Sequence, residues 1–401
     1  MIINEQLAQI ATGRTASFFT MDINFHRARI HDFYAGQKVL IIGGAGTIGS
    51  ACALEVLYHD PAQIDIVDIN ENGLAAFARY IRSNAIGQKT AISFNALDFV
   101  GFPMEQFMQD NGPWDVILNF AAVKHVRSEK NVACTLHMLE VNAVKQFEFL
   151  TQLANTHDAV NYFVVSTDKA ADPGNIMGAS KRLLEFLLFG AASNLPGIKL
   201  SSARFANVAF SAGSLLESFR QRFEAGYALA CPTETMRYFI SPQEASHICL
   251  LGQVFAPTQT IVVPRMTVKE HLVSLQEVAA AFLRSVGREA IFVQPGHCAP
   301  EVWTACEYPV LLSPRDTTGE KEAEIFIGSG EQTFLLELET LAGIVPFIPD
   351  IETTQQCFAD LKALTSGAAG YVSRGAIEDM LSRYLQNYAQ IAGKNSLDDR
   401  V

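Results

Sequence analysis

Apolar and polar positions alternate along this chain with two different periods. Residues 39–42, 64–67, 90–94, 116–120 and 162–165 form short apolar runs bounded by turn residues, which is the pattern of buried strands. Between them, residues 50–58, 72–83, 103–110 and 137–155 repeat their apolar positions at helical spacing. Strand and helix in regular alternation predict an α/β fold: a doubly wound parallel sheet of Rossmann type, with helices on both faces. Beyond Lys181 the rhythm loosens. A strand is expected at 200–205, a helix at 215–225, an extended segment at 236–240 and a helix at 274–286. A loop rich in Pro, Thr and Ser spans 294–319, and an amphipathic helix spans 373–391. Ahead of the first strand, residues 6–10 suit a short helix, and Phe18, Phe19 and Phe25 suit anchors that dock on the main body.

Composition narrows the picture. With 401 residues, 49% of them hydrophobic, the chain can bury one large core or two modest ones. A net charge of −12 argues against nucleic acid as a partner and against a basic membrane-docking face. The 7 cysteines (Cys52, Cys134, Cys231, Cys249, Cys298, Cys306 and Cys357) are scattered, odd in number and never spaced C-x-x-C. Reduced thiols in the cytoplasm and no metal site are the expectation. The first residues carry Glu5 and no basic segment before an apolar block, so no signal peptide is expected. The apolar window 39–58 holds several glycines and Glu55, which suits strand, turn and helix rather than membrane insertion.

Gly43, Gly46 and Gly49 follow the first strand and open the first helix, in the run G-G-A-G-T-I-G. One glycine permits the tight turn, the next lets backbone approach a pyrophosphate, and the last lets the helix pack close to the strand. With Thr47 and Ile48 at the helix N-terminus, this is a dinucleotide-binding loop. Asp68 ends the second strand, about twenty residues on, where a carboxylate accepts ribose hydroxyls and repels a 2′-phosphate. NAD is therefore expected, with NADP less favoured. Asp98, after the third strand, suits either an adenine contact or a helix cap. Ala121 and Ala122 end the fourth strand in side chains small enough for a flat cofactor to lie against. Lys124, His125, Arg127 and Glu129 follow as a polar cluster, one or two of which face substrate. His125 reads equally as a structural histidine.

The domain boundaries follow from these motifs. We expect an N-terminal arm (1–36), an NAD-binding domain (37–205), and a mainly substrate-binding region with a C-terminal extension (206–401), some of whose strands return to the main sheet.

The densest chemistry is S-T-D-K-A-A-D-P-G-N-I-M-G-A-S-K, residues 166–181. It places Thr167, Asp168 and Lys169 at the tip of the fifth strand, where open α/β sheets carry their ligands. Lys181 falls four residues after Met177, on one helix face. In reductases of this architecture those positions hold Tyr and Lys; the lysine binds the nicotinamide ribose and lowers the tyrosine pKa. Methionine cannot carry a proton.

Together with N-F-A-A-V-K-H-V-R-S-E-K, A-R-F-A-N-V and R-Y-F-I-S-P-Q-E-A, these motifs resemble the extended short-chain dehydrogenase/reductases. Within them the chain is most similar to the CapD-like nucleotide-sugar 4,6-dehydratases of polysaccharide biosynthesis, over residues 38–246. Some members of that group carry Met at the tyrosine position. Gly319-Glu320-Lys321 is a weaker echo of a substrate-domain motif. The resemblance implies transient oxidation at carbon 4 of a nucleotide-linked sugar, most simply UDP-N-acetylglucosamine, by tightly bound NAD. Thr167 would polarise the 4-hydroxyl, Lys169 would take the carbon-5 proton, and Asp168 would protonate the departing 6-hydroxyl. Arg204, Asn207 and Arg237 suit the diphosphate and nucleotide, or else structural ion pairs. A homo-oligomer is also implied. A 4-epimerase or reductase of the same fold and a non-catalytic NAD-binding module are the alternatives.

Overall fold

The computed structural model describes residues 5–294, 306–314 and 325–391. The five apolar runs form β1 (Lys38–Ile42), β2 (Gln63–Asp68), β3 (Ala91–Ala96), β4 (Val116–Asn119) and β5 (Val160–Val165), and β6 (Ile198–Ala203) follows. All six pair in parallel in the order 3-2-1-4-5-6. The chain leaves this sheet through β7 (Asn207–Val208), β8 (Leu229–Pro232) and β9 (Met236–Ile240), and returns as β10 (Thr260–Pro264) beside β6. It leaves again through β11 (Leu272–Ser274), β12 (Glu289–Val293) and β13 (Glu307–Ser313), then closes the sheet edge with the antiparallel pair β14 (Gln332–Leu335) and β15 (Leu341–Val345). Among the described residues the main sheet thus has nine strands. Two three-stranded sheets, β11-β9-β7 and β12-β13-β8, pack with helices Leu215–Glu224 and Leu275–Ser285 as the smaller subdomain.

Strand order reverses between β1 and β4, so the crevice above their C-terminal ends is where this architecture binds ligands. Helix Thr47–Leu57 leads out of β1, and helix Pro242–Phe255 packs against it. The latter is buried along nearly its whole length, so its sequence shows no polar stripe.

Three sequence expectations change. The helix expected at 137–155 is Val132–Leu139, a π-helical turn Glu140–Val144, and Lys145–Thr156. Within the loop expected at 294–319 from its Pro, Thr and Ser content, Glu307–Ser313 is the central strand of a small sheet, and it takes in Pro309 although proline cannot donate to a ladder. Residues 295–305 and 315–324, including Gly319-Glu320-Lys321, lie outside the described residues. The C-terminal helix is Arg374–Tyr384 and stops short of 391.

The N-terminal arm folds into helices Glu5–Thr12, Thr20–Phe25 and Arg27–Tyr34. Phe19 is buried in the main core and Phe18 packs beside it, but Phe25 is 83% exposed, its ring set edge-on to the neighbouring His26 rather than docked in the core. Arg14 grips Glu244 through two 2.7 Å bonds, and Asp22 accepts the backbone N–H groups of Glu339 and Thr340 at the β14–β15 turn. Helices Ile351–Thr365 and Arg374–Tyr384 bury Cys357, Leu361, Ile377 and Leu381 against Met138, Leu139, Leu183 and Leu187. They therefore back the helix Ile176–Ala192 that carries Met177 and Lys181.

Candidate active site

A cavity of about 880 Å³ opens at the strand-order reversal and runs from the glycine loop to β13. Gly43 has φ +72°, and a Cβ there would lie 2.9 Å from Ala121 N and from the Phe120 carbonyl carbon. Only glycine lets the turn lie flat on the exit of β4. Gly49 is held as tightly: its Cβ would meet Gly43 O at 2.3 Å. Gly46 precedes helix Thr47–Leu57 with no side-chain cap, and the first turn of that helix, Thr47, Ile48 and Gly49, lines the cavity. Asp68 Oδ2 accepts Ala45 N at 3.0 Å and Oδ1 accepts Asn70 N at 2.8 Å, which leaves carboxylate lone pairs for ribose hydroxyls. Asp98 lines the cavity and pairs with Lys145; the neighbouring helix is preceded by Gly101, so Asp98 is not its cap. A cradle that any side chain would fill, an uncapped helix start and the small Ala121 and Ala122 fit a dinucleotide.

Buried amides fix the loop after β4. Asn119 accepts Ala121 N through Oδ1 and donates to Gln146 Oε1 and Tyr162 Oη. Gln146 Nε2 donates back to Ala121 O. The π-helical turn directs Asn142 inward, where it accepts Val123 N, donates to Val123 O and donates to Ser180 Oγ, all within 2.8–2.9 Å. π-helical turns of this kind recur at functional sites.

Facing the glycine loop stands the tip of β5. Thr167 Oγ1 donates to Asp168 Oδ1 at 2.8 Å, and Lys169 Nζ donates to the same oxygen at 3.1 Å and to Asn207 Oδ1 at 3.4 Å. Asp168 is 1% exposed, and its Oδ2 has no hydrogen-bond partner among the described residues. Lys181 Nζ donates to Val165 O at 3.0 Å. Burial draws its pKa down to about 8, against the opposing pull of Glu185. Asn175 caps helix Ile176–Ala192 by accepting Gly178 N, and Glu129 accepts Met177 N at 2.8 Å. Burial raises the Glu129 pKa against those backbone bonds, and its contacts make it a second cap for that helix.

Residues 39–297 match the family described as "Polysaccharide biosynthesis protein", well over half of the chain. The chain belongs to that family. Its members are CapD-like extended short-chain dehydrogenase/reductases. The chain is 26% identical to the capsular polysaccharide biosynthesis protein CapD of Staphylococcus aureus over 227 residues, 55% of this chain and 36% of CapD. It is 26% identical to the UDP-N-acetylglucosamine 4,6-dehydratase (inverting) of Campylobacter jejuni over 240 residues, 56% of this chain and 67% of that enzyme. UDP-glucose 4-epimerases match as well, that of Rickettsia canadensis at 26% over 214 residues, 52% of this chain and 59% of the epimerase. The chain thus spans about a third of CapD and little more than half of that epimerase. Among solved structures, Pen from Bacillus thuringiensis shares the fold, with TM-score 0.64 and 21% identity over 78% of this chain and 87% of Pen. So does the UDP-glucuronic acid 4-epimerase of Bacillus cereus, solved with NAD, with TM-score 0.56 and 14% identity over 73% of this chain and 90% of that one.

Within this CapD-like framework, the cavity brings together most of the residues singled out in the sequence. Gly43, Gly46, Thr47, Ile48, Gly49, Asp68, Asp98, Ala121, Ala122, Lys124, Thr167, Asp168, Lys169, Lys181, Asn207 and Arg237 all line it. Arg237, on β9, also donates to Met236 O. The Lys124 ammonium is drawn below its usual pKa by desolvation, with Glu217 opposing, although its side chain remains exposed.

Two expectations are corrected. Arg204 does not reach the cavity: it is 0% exposed, and its guanidinium is spent on Glu185 and Glu331 through bonds of 2.6–2.8 Å and on Phe326 O. Of the two readings open for it, the structural ion pair is the one the fold builds. His125 does not line the cavity; its ring lies over Gly213, where a Cβ would come within 2.8 Å of Cε1 and Nε2. Glu185, Glu331 and Asn142 went unnoticed in the sequence. For Glu185 a signal existed, a carboxylate set among Leu183, Leu184, Phe186 and Leu187 on a buried helix.

Proposed function

We propose that the protein is a nucleotide-sugar 4,6-dehydratase that uses NAD and converts an NDP-hexose, UDP-N-acetylglucosamine in the first instance, to its 4-keto-6-deoxy product for surface-glycan or rare-sugar synthesis. The observation that carries this is the arrangement around Asp168: Thr167 and Lys169 both bond Oδ1, Oδ2 is buried with no partner among the described residues, and all three residues share a cavity with the glycine loop. The similarity to the C. jejuni dehydratase and the NAD in the B. cereus neighbour support the same reading.

NAD bound on the glycine loop would accept hydride from carbon 4 and return it to carbon 6, so the reaction consumes no net oxidant. Lys181 would hold the nicotinamide ribose. Thr167 Oγ1 polarises the 4-hydroxyl and passes its proton toward Asp168 Oδ1. Once carbon 4 is a ketone, the carbon-5 hydrogen is acidic, and Lys169 Nζ takes it. Asp168, carrying that proton, hands it to the 6-hydroxyl as water departs, and the Lys169 ammonium gives a proton back to carbon 5 when hydride reaches carbon 6. Asn207 and Arg237 hold the sugar and its diphosphate. Arginine suits that ligand because its planar fork can pair two oxygens at once.

Met177 sets this chain apart from epimerases that work through a tyrosine at that position. The test is incubation of purified protein with UDP-N-acetylglucosamine in deuterium oxide, followed by mass spectrometry. Loss of one water with deuterium at carbon 5 is the expected result. A change of configuration with no loss of water means an epimerase, and bound NAD with no turnover on a panel of nucleotide sugars means a binding module.

A further inference from the structure

We propose that Glu185 is a positioning residue: by binding Ser166 and Arg204 together, it sets the tip of β5 against the exit of β6 and so fixes Lys169 relative to Asn207. This rests on the dehydratase reading for its choice of assay, but not for its geometry.

Glu185 lies one helical turn after Lys181, with its side chain 3% exposed. Its carboxylate accepts four bonds: Ser166 Oγ at 2.6 Å, Arg204 Nε at 2.7 Å, Arg204 Nη2 at 2.6 Å and Arg182 Nη1 at 3.0 Å. Ser166 immediately precedes Thr167, Asp168 and Lys169, and its N–H makes a 2.9 Å ladder bond to Ala203 O. Past Ser166, the tip's next backbone bond to the β6 side is a long one, Asp168 N to Phe205 O at 3.5 Å. Arg204 holds the matching place just past β6, three residues before Asn207. One carboxylate therefore ties the last fixed point of each strand before its chain enters the site.

The far side of the device comes from the C-terminal extension. Glu331 takes Arg204 at 2.6 and 2.8 Å and Arg182 at 2.6 Å. Two guanidinium groups and two carboxylates give a cluster with no net charge. A buried cluster of this kind adds little stability compared with apolar packing of the same volume. Its bonds are short and directional, and what they supply is orientation, which catalysis rewards steeply: a misplacement of about 1 Å can cost on the order of a hundredfold in rate.

Ser166→Ala cuts the tie between the cluster and the strand tip and leaves all four charges in place. Its kcat is expected to fall between roughly tenfold and a hundredfold, with KM within about twofold of wild type and NAD affinity unchanged. Ser166→Thr, which keeps the hydroxyl, restores most of the rate. Because Ser166 also lines the cavity, Glu331→Gln supplies the decisive arm, since Glu331 does not. It should lower kcat with the same unchanged KM, and the double variant should lose less than the product of the two single losses. Arg182→Gln stands in for Glu331→Gln should the latter not fold. Wild-type kcat in Ser166→Ala, a loss confined to KM, or full rate in the cluster variant would each overturn the proposal. A wild type that epimerises instead of dehydrating overturns the dehydratase reading alone, because the same comparison can then be run on epimerisation.

Discussion

Replacing Arg204 separates a residue that binds substrate from one that holds the fold. In Arg204→Met the apolar stem is kept, and the guanidinium is lost from between Glu185 and Glu331, whose side chains are 3% and 6% exposed. Removing one partner of a buried ion pair costs about 3–5 kcal/mol, because charge is left without compensation. Arg182 still reaches both carboxylates, so the lower half of that range applies. The Glu331 carboxyl gives an independent figure. Burial alone would raise its pKa, but Arg204 and then Arg182 hold it down to about 2 from 4.5. That difference, a net of burial, both arginines and the Gly328 N–H, corresponds to about 3 kcal/mol of stability, of which Arg204 carries the largest stabilising part. For a chain of 401 residues the unfolding entropy is on the order of 0.8 kcal/mol/K, so Tm should fall by about 4 °C. Since the folded pKa of Glu331 lies below its ordinary value, its contribution is present above pH 4.5 and is lost as the pH falls toward 2. The gap in Tm between wild type and variant should therefore be full at pH 7 and narrow steadily below pH 4.5. Thermal denaturation from pH 7 to pH 3 measures it. An unchanged Tm combined with a raised KM for the nucleotide sugar would refute the reasoning and return Arg204 to the diphosphate.

Other expectations follow from the site. Lys169→Ala should slow carbon-5 deuterium exchange by about 10²–10⁴-fold while hydride removal from carbon 4, read as NADH absorbance in a single turnover, survives. Lys181, with its pKa drawn to about 8 by burial, loses its proton through that pH rather than near 10.5, so kcat should decline as pH rises through 8; a rate still level at pH 9.5 would exclude it as the charged ribose ligand. Gly43→Ala forces a side chain into φ +72° against Ala121 N, and NAD affinity measured by calorimetric titration should drop more than about tenfold, with about 1–2 kcal/mol of stability lost as well.

How much of this was legible in the sequence depends on how far apart the causes lie along the chain. Strands β1, β4 and β5 announced themselves because parallel strands covered on both faces read as near-continuous apolar runs, whereas β2 carries Asp65 and the edge strand β3 carries Ser93 and Asn95. The glycine loop was equally plain, since its geometry is settled within seven residues. The cluster around Arg204 was not. Its carboxylates stand 19 residues before it and 127 after it, and no local pattern marks such a meeting. Asn142 was hidden differently: its role depends on a π-helical turn, which the 3.6-residue period used to read helices passes over. Helix Pro242–Phe255 gave no stripe because it is buried nearly all round, and β13 was lost in a stretch whose Pro, Thr and Ser content reads as loop.

The departure at Met177 can now be given a physical meaning. Its backbone is placed as a proton-carrying residue's would be: its N–H is fixed by Glu129, its side chain lines the cavity, and Lys181 sits one turn on. What is missing is the hydroxyl. Under the dehydratase reading, the proton released from carbon 4's oxygen has to leave by another route, and the structure offers a short one, from Thr167 Oγ1 to Asp168 Oδ1 over 2.8 Å. That route ends on the carboxyl that must later give a proton to the departing 6-hydroxyl. A proton taken from the 4-hydroxyl is then the one required when water departs, so Asp168 regains its starting state without exchange with solvent. A tyrosine would take the proton to a different oxygen. The loss of tyrosine and the buried, half-partnered state of Asp168 are on this account two sides of one chemical solution.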